Sequence, residues 1–416
     1  MEKLNNVLKE NRWVNGALPA LLIHCCIGSV YCWSLFKGDI ASYMGVNVSS
    51  IELCFMLAIF FLGMSAAFGG KFVESNVKLS SYCSTNFFVL GLILSAFAVY
   101  NKIPYLLYIS YGVIMGIGLG IGYISPVKTL MIWFSKYKGL ATGIAISGFG
   151  LSKVMFSPLI EYCTKYYGIV ITLLIMAFIS TLCMLTASYL IKKPSDWVEK
   201  KDDISLSLSK IKSILFDRRY ITIWLMFFIN ITCGLVLISF EKNIIQEVGV
   251  SAMYIGIIAS LTAFFNTFGR FSYATLSDYI KPRVWIYCLI FFSSIIVLNI
   301  GIMSGGSALG VLLLLFVINM GYGGGFSTLP TLLTDYFGMK QISTIHGFAL
   351  SAWAWASVAS YIITQILIYR LHYSIEVVYI LLCVLYFFGL LGGMSLLTFK
   401  KCDSNDKMVE KIKGKE

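Results

Sequence analysis

Three cations lie within long apolar stretches of this 416-residue chain: Lys128, Lys153 and Arg270. A charged side chain at membrane depth is costly, so it is kept only where it faces a cavity, forms a pair or reaches the membrane surface. The 20 acids lie in connections or at the ends of apolar stretches, so we expect no acid to accompany these cations. The missing partner is then the cargo, and we expect that cargo to be an anion.

The composition indicates a membrane protein. Hydrophobic residues make up 58% of the chain and charged residues 12%, whereas a soluble domain has about 25% charged residues. The first apolar run, from Trp13, is too long for a cleaved signal peptide. No cysteine pair has C-x-x-C spacing, and His24, His346 and His372 are far apart, so we expect neither a metal site nor a cofactor.

Long apolar runs repeat along the whole chain and predict a polytopic helical protein. One long polar connection divides the runs into two sets of six. The predicted spans are roughly 14–36, 51–70, 81–99, 104–134, 139–162, 167–191, 220–241, 252–277, 284–303, 306–336, 342–369 and 374–399. The predicted domains are an N-terminal six-helix half at 1–191, a cytoplasmic linker at 192–219, a C-terminal six-helix half at 220–399 and a basic cytoplasmic tail at 400–416.

The distribution of Lys and Arg predicts the orientation. With both termini in the cytoplasm, most of the 32 basic residues fall in cytoplasmic segments, as the positive-inside rule requires. Those on the opposite side are Lys37, Lys102, Lys165, Lys242 and Arg370. The net charge of +12 therefore reflects topology and contact with anionic lipid rather than nucleic-acid binding.

The two halves resemble each other. Gly28 and Gly234 stand at nearly the same separation as Gly122 and Gly325. Parallel six-span repeats with a binding site at midplane between them are the architecture of the major facilitator superfamily. The predicted fold class is therefore an all-α integral membrane protein of twelve transmembrane helices in two six-helix pseudo-repeats.

A charged segment at 276–283 follows the eighth span and resembles the acidic-basic loop of facilitator transporters. Its Asp278 is placed to cap a neighbouring helix N-terminus, where a carboxylate is favoured. We expect Asp278 and Arg283, with Gly269 in the preceding span, to serve gating or structure. The first-half counterpart at 69–74 reads as a degraded copy.

Several stretches of the chain form recognisable motifs: Asn11 to Trp13, Gly28 to Phe36, Tyr123 to Leu130 with Trp133 and Phe134, Lys138 to Gly143, Asn266 to Arg270 with Ser277 and Asp278, and Leu333 to Gly338. Together they resemble the oxalate/formate antiporter family, which is close to monocarboxylate transporters, and the match extends from about 11 to 399. The resemblance implies a carrier of small carboxylates with an aromatic-lined cavity and a critical arginine in the eighth span, which corresponds to Arg270.

One departure from the family bears on the substrate. Members that transport oxalate also use a lysine in the eleventh span, but the matching stretch at 351–356 has no cation. This favours a monocarboxylate such as formate, lactate or pyruvate over a dicarboxylate held between two cations. The repeat places Lys153 opposite Ala356, so a second cation from the other half stays open.

Arg270 is the principal candidate for substrate contact, because its planar fork of donors suits a carboxylate. A structural role, with the side chain extended to the cytoplasmic surface, is the alternative. Aromatic rings would pack on the apolar part of the ligand. The predicted substrate-binding residues are Arg270, Lys128, Lys153, Tyr31, Tyr123, Asn266, Tyr322 and Trp353. His24, the only histidine that reads as deep in a span, is either a proton relay or a buried neutral side chain.

The sequence thus predicts a secondary transporter of small organic anions, and no enzyme. An oxalate or other dicarboxylate exchanger, an amino-acid carrier and a channel remain alternatives, as does a membrane enzyme or sensor from a different class. The expected partners are a small carboxylate, the lipid bilayer and a coupled proton or counter-anion. We expect a monomer in the cytoplasmic membrane of a bacterium.

Overall fold

The computed structural model describes residues 11–195, 197, 208–305, 307–339, 342–371 and 373–399. The predicted basic tail at 400–416, His372 and residues 198–207 of the predicted linker lie outside the described residues, as does the side chain of Lys242. The described part of the chain is helical and contains no strand. A short helix, Leu208–Leu215, lies in the connection between the halves.

Twelve helical segments run in the order that the apolar pattern predicts. They are α1 (13–44), α2 (Val48–Ser75), α3 (Val77–Tyr100), α4 (Pro104–Trp133), α5 (138–167), α6 (169–190), α7 (Arg218–Glu247), α8 (Ala252–Tyr279), α9 (Val284–Met303), α10 (Ala308–Phe337), α11 (Ile342–Thr364) and α12 (Ile375–Leu396). The fold is therefore the all-α membrane architecture that the sequence predicts.

The segments α5 and α6 are continuous in hydrogen bonding, as one helix, Lys138–Leu190. At 1.5 Å per residue, its 53 residues would span about 80 Å, far more than the ~30 Å hydrocarbon core. The chain turns at Gly168, where φ is 78° and ψ is 167°. Only glycine adopts that conformation readily, so this residue makes the turn between two crossings.

Ten of the described helices are long and apolar enough to cross a membrane, and Lys138–Leu190 is one of them. Division of that helix at Gly168 adds a crossing. The 28-residue α8, which carries Arg270, is not among the ten but is long enough to cross.

The two halves meet along two equivalent helix pairs. α5 of the first half packs against α8, and α2 packs against α11. Backbones approach closely at both contacts: a Cβ on Gly139 would collide with the Ala274 carbonyl oxygen, and one on Gly63 would stand 2.7 Å from that of Leu350. Small residues therefore allow the halves to pack backbone to backbone.

Helices α1 and α11 are both irregular near the centre of the molecule. In α1, Gly28–Cys32 forms a 3-10 turn. In α11, the helix is interrupted at Leu350, whose amide donates to the carbonyls of His346 and Gly347. Irregular backbone at membrane depth is tolerated where protein buries it or where it lines a cavity, so these breaks mark the region where a ligand site is expected.

Candidate functional site

Arg270 of α8 lies at the centre of the molecule and is 0% exposed. Its Nε donates a hydrogen bond of 2.9 Å to Oδ1 of Asn266, one turn earlier on the same helix. The i, i+4 spacing puts the two side chains on one face. The asparagine thus fixes the Nε edge of the guanidinium.

The outer nitrogens of the guanidinium, Nη1 and Nη2, make no hydrogen bond of ordinary geometry to a described residue, although the hydroxyls of Tyr31 and Tyr123 lie near enough to interact with the guanidinium. Buried polar groups are normally paired, and an unpaired one costs about 1–3 kcal/mol, more when it is charged. An arginine has no acceptor and keeps its charge, so only an acceptor can satisfy it. The arrangement can therefore bind a planar anion with two oxygens.

Aromatic rings from both halves cover the guanidinium. Its central carbon stands 5.5 Å from the ring centroid of Phe149 and 5.0 Å from that of Phe326. Both contacts fall within cation–π range. These faces stabilise the charge partially while leaving its hydrogen-bond donors available.

A tyrosine pair bridges the halves beside Arg270. The hydroxyl oxygens of Tyr31 in α1 and Tyr322 in α10 are 3.1 Å apart. The Arg270 charge acts on both hydroxyls. One of the two hydroxyl protons serves the mutual bond, so the pair retains a second donor for a ligand oxygen.

Tyr123 and Trp353 complete the ring of side chains. Their ring centroids are 5.6 Å apart, and Trp353 packs on Phe326 at 4.4 Å. The Tyr123 hydroxyl and the Trp353 Nε1 are buried and have no partner among the described residues. We call the six side chains Tyr31, Tyr123, Phe149, Tyr322, Phe326 and Trp353 the aromatic cage.

Two histidines, rather than one, lie beside the cage. His24 and His346 are both buried, and their rings stand 5.3 Å and 6.2 Å from that of Tyr123. His24 is the histidine that the sequence placed deep in a span, and His346, near the start of α11, is buried beside the cage as well. His24 Nδ1 bonds to the Ala20 carbonyl at 2.9 Å and must donate to it, so in the neutral ring Nε2 is a free acceptor.

Lys128 does not stand unpaired, which corrects the expectation that it lacks an acidic partner. Its ammonium forms an ion pair with Glu74 at the end of α2, and both side chains are buried. Sequence spacing placed Glu74 in a connection and could not show that the end of α2 folds against α4. Lys128 therefore belongs to a contact at the end of α2 and not to the cage.

Glu74 also joins the halves. Its Oε1 accepts a 2.7 Å hydrogen bond from the backbone amide of Ser343, at the start of α11. Asp278 makes the equivalent contact from the second half and accepts from the amides of Gly139 and Leu140, at 2.8 Å and 2.9 Å. Both carboxylates thus cap a helix N-terminus of the opposite half, where negative charge is favoured.

We call these two contacts the latches. The structure shows the capping contact that the sequence suggested for Asp278. It also corrects the interpretation of 69–74 as a degraded copy, because Glu74 makes the equivalent capping contact from the first half. Arg283 supports the second latch by bridging Asp278, at 3.4 Å, and Asp335.

Gly269 lies at a contact between two helices, and Lys153 lies near an acid. A Cβ on Gly269 would collide with the Met320 carbonyl, so this residue lets α8 pack closely on α10. Lys153 is half-buried in α5, and its charge acts on the buried carboxyl of Glu241 in α7. Lys153 therefore also has an acid near it, contrary to expectation.

Sequence reasoning missed Phe149, Phe326 and His346. The separation that relates Gly122 to Gly325 also relates Tyr123 to Phe326, so projecting each first-half candidate onto the second half would have found Phe326. No comparable sequence signal marks Phe149, one of many phenylalanines in apolar helices.

The sequence profile of the major facilitator superfamily matches residues 19–361, which is most of the chain. The chain belongs to the major facilitator superfamily. It is accordingly an integral multi-pass membrane transporter and not an enzyme.

Individual relatives agree with this assignment. The uncharacterised MFS-type transporter YhjX of Escherichia coli strain K12 is 25% identical over 345 residues, covering 82% of this chain and 84% of YhjX. The oxalate:formate antiporter of Oxalobacter formigenes is 23% identical over 358 residues, covering 84% of each chain. This chain is therefore similar to the oxalate:formate antiporter, as the sequence motifs indicated.

The fold agrees as well. The proton:xylose symporter XylE has a similar structure, with a TM-score of 0.72 at 13% identity, over 92% of this chain and 95% of XylE. At 13% identity, this similarity supports the fold alone.

Proposed function

We propose that this transporter carries small monocarboxylates, of the formate, lactate or pyruvate kind, by alternating access. The observation that carries the proposal is the fully buried Arg270, whose Nη1 and Nη2 have no partner among the described residues. A carboxylate would satisfy both nitrogens bidentately and neutralise the charge. The aromatic cage would hold the small apolar part of the ligand and exclude water.

Charge favours one carboxylate over two. The stretch at 351–356, which matches the region where oxalate-transporting members have a lysine, holds no cation, and its Ala356 is 0% exposed. Lys153, the candidate for a second cation, has Glu241 as an electrostatic neighbour. Arg270 is then the cation available to a ligand, and a single negative charge balances it.

The transport cycle follows from the positions of the site and the latches. Glu74 and Asp278 tie the halves together at the cytoplasmic end, so the state described is closed toward the cytoplasm. Anion binding removes an uncompensated charge from the membrane interior and so lowers the barrier to reorientation of the halves. We further propose that the protein works as a monomer in the cytoplasmic membrane with both termini inside, as the Lys and Arg distribution supports.

The test is counterflow in proteoliposomes loaded with unlabelled formate, lactate, pyruvate or oxalate and supplied with labelled substrate outside. We expect saturable exchange of at least one monocarboxylate by the wild type. Arg270→Gln removes the charge but keeps a polar side chain, and we expect exchange to fall at least about a hundredfold, because a charged hydrogen-bond pair in a buried site is worth several kcal/mol.

Arg219→Gln is the matched control, because Arg219 pairs with Asp217 outside the cage, and we expect near wild-type exchange. Absence of exchange with every carboxylate would contradict the substrate class. Full activity of the Arg270→Gln protein would contradict the role of Arg270 while leaving the substrate class intact.

A further inference from the structure

Glu241 is a buried carboxyl at the junction of the halves. It lies in α7, about 35 Å along the helix from Arg218 and so toward the end opposite the latches. The side chain is 9% exposed, and its Oε1 accepts a hydrogen bond from the hydroxyl of Thr262 in α8. Buried glutamates are rare unless they are paired or functional, and the mechanism proposed above does not use this one.

A polar stripe connects Glu241 to the cage. Thr262, Asn266 and Arg270 recur every four residues of α8 and therefore share one face. Thr262 bonds to Glu241 at one end of the stripe, and Asn266 bonds to Arg270 at the other. The carboxyl and the guanidinium are thus separated by about 12 Å of helix.

The charged group of the opposite half that acts on Glu241 is Lys153. Its charge also acts on the Cys32 thiol of α1. From α12, Tyr379 faces Glu247 and not Glu241. Among the described residues of α10 and α11, no titratable group acts on Glu241. The ionised carboxylate therefore balances Lys153 across the junction.

We propose that Glu241 is the proton-binding site of a proton-coupled carboxylate carrier. The inference rests on the proposed function, since it needs an anion at Arg270. Protonation of Glu241 leaves Lys153 and Arg270 as two uncompensated cations, and a bound carboxylate restores the single positive charge of the empty, unprotonated site. The proton and the anion then bind cooperatively and cross the membrane together without net charge.

The size of the coupling follows from the separation of the two sites. Two unit charges about 12 Å apart, at an effective dielectric constant of about 20, change each other's binding by about tenfold. Coupling is reciprocal, so substrate must also favour protonation of Glu241 by the same factor. We therefore expect the anion to bind about tenfold more tightly at low pH than at high pH in the wild type.

The experiment compares two assays on the same proteoliposomes. In one, an inward proton gradient drives uptake of labelled lactate, and protein-free liposomes give the background from diffusion of the undissociated acid. In the other, counterflow at equal pH on both sides measures exchange. For Glu241→Gln, we expect gradient-driven accumulation to fall to the level without a gradient, while exchange stays within about threefold of wild type.

Glu52→Gln is the matched control, because Glu52 pairs with Lys37 at 2.7 Å on the exposed end of the molecule. We expect this variant to keep wild-type accumulation. A wild type that exchanges lactate but ignores the proton gradient would overturn the inference and leave the proposed function standing. A wild type without exchange would overturn the proposed function.

Gradient-driven accumulation of lactate by Glu241→Gln would also overturn the inference. If His24→Gln then lost that accumulation, the proton would be assigned to the histidines beside the cage. Thr262→Val covers the case in which Glu241→Gln does not fold, because it keeps the carboxyl and removes the hydrogen bond to the ionised form. We expect it to move the pH midpoint of lactate binding, followed by tryptophan fluorescence, to higher pH. An unchanged pH midpoint of lactate binding would contradict the assignment of the proton to Glu241.

Discussion

The neighbours of Arg270 use only part of its hydrogen-bonding capacity. Asn266 takes one of its donors, Phe149 and Phe326 stabilise its charge, and two nitrogens remain without partners among the described residues. An acid in the cage would pair with the guanidinium permanently and compete with the ligand. Under the proposed function, the site selects an anion because the protein supplies the cation and withholds the counter-ion.

Specificity for one carboxylate over two can be tested at residue 356. We expect Ala356→Lys to supply the second cation of the oxalate-transporting relatives, so that oxalate exchange appears while formate and lactate exchange falls at least about tenfold. Proteoliposome counterflow with the four acids measures both changes.

Ala356→Met controls for the added bulk, since it has a long side chain without charge. Because Ala356 is fully buried, some loss of activity is expected from both variants. A gain of oxalate exchange by the methionine variant, or no gain by the lysine variant, would contradict the expectation that a second cation in the stretch 351–356 favours a dicarboxylate.

At the scale of helices, the position of Arg270 depends on how closely α10 approaches α8. A Cβ on Gly323 would collide with the Asn266 carbonyl and stand 3.1 Å from Cγ of Arg270. A methyl group there must move one helix away from the other. The packing of two backbones therefore determines where the guanidinium stands.

We expect Gly323→Ala to lower substrate affinity at least about tenfold and to destabilise the protein by about 1–3 kcal/mol, as overpacking does. Binding by tryptophan fluorescence and thermal unfolding in detergent measure the two effects. Gly38→Ala is the control, because a Cβ there meets nothing within 4 Å. If Gly323→Ala bound and unfolded like the control, the close approach of α8 and α10 would not matter for the site.

The helices were predictable from sequence and their mutual contacts were not. Apolar periodicity and basic connections reveal twelve spans because the bilayer imposes length and charge on every crossing. Whether Glu74 meets Lys128 depends on the angle at which α2 ends against α4, and no local pattern encodes that angle. Arg270 was found because a lone cation in an apolar run is costly by itself, whereas Phe149 carries no such cost.

At the scale of the whole molecule, the two latches form a symmetric closure of one end. Glu74 holds the start of α11 and Asp278 holds the start of α5, so each half anchors a helix of the other. Each charge-assisted bond contributes about 1.5–3 kcal/mol. Opening at this end must break the contacts of both latches.

We expect Asp278→Asn to shift the population toward the cytoplasm-open state, because it removes the charge that caps α5. The measurement is the rate of maleimide labelling of Thr344→Cys, a buried position beside the other latch, in a background without other reactive cysteines. We expect labelling to become at least about tenfold faster.

Asp217→Asn is the control, since Asp217 caps α7 outside the latches. An unchanged labelling rate in Asp278→Asn would show that the halves do not open as units at this end.

The buried, uncompensated charge of Arg270 also makes the resting membrane potential part of the proposed cycle. A carrier with an empty cage moves one positive charge when it reorients, and a unit charge crossing the full field gains about 2.3 kcal/mol per 100 mV. With a carboxylate bound and Glu241 ionised, that charge is cancelled and the field has little effect. An inside-negative voltage would therefore act on the return of the empty carrier and so determine the side on which it waits for substrate.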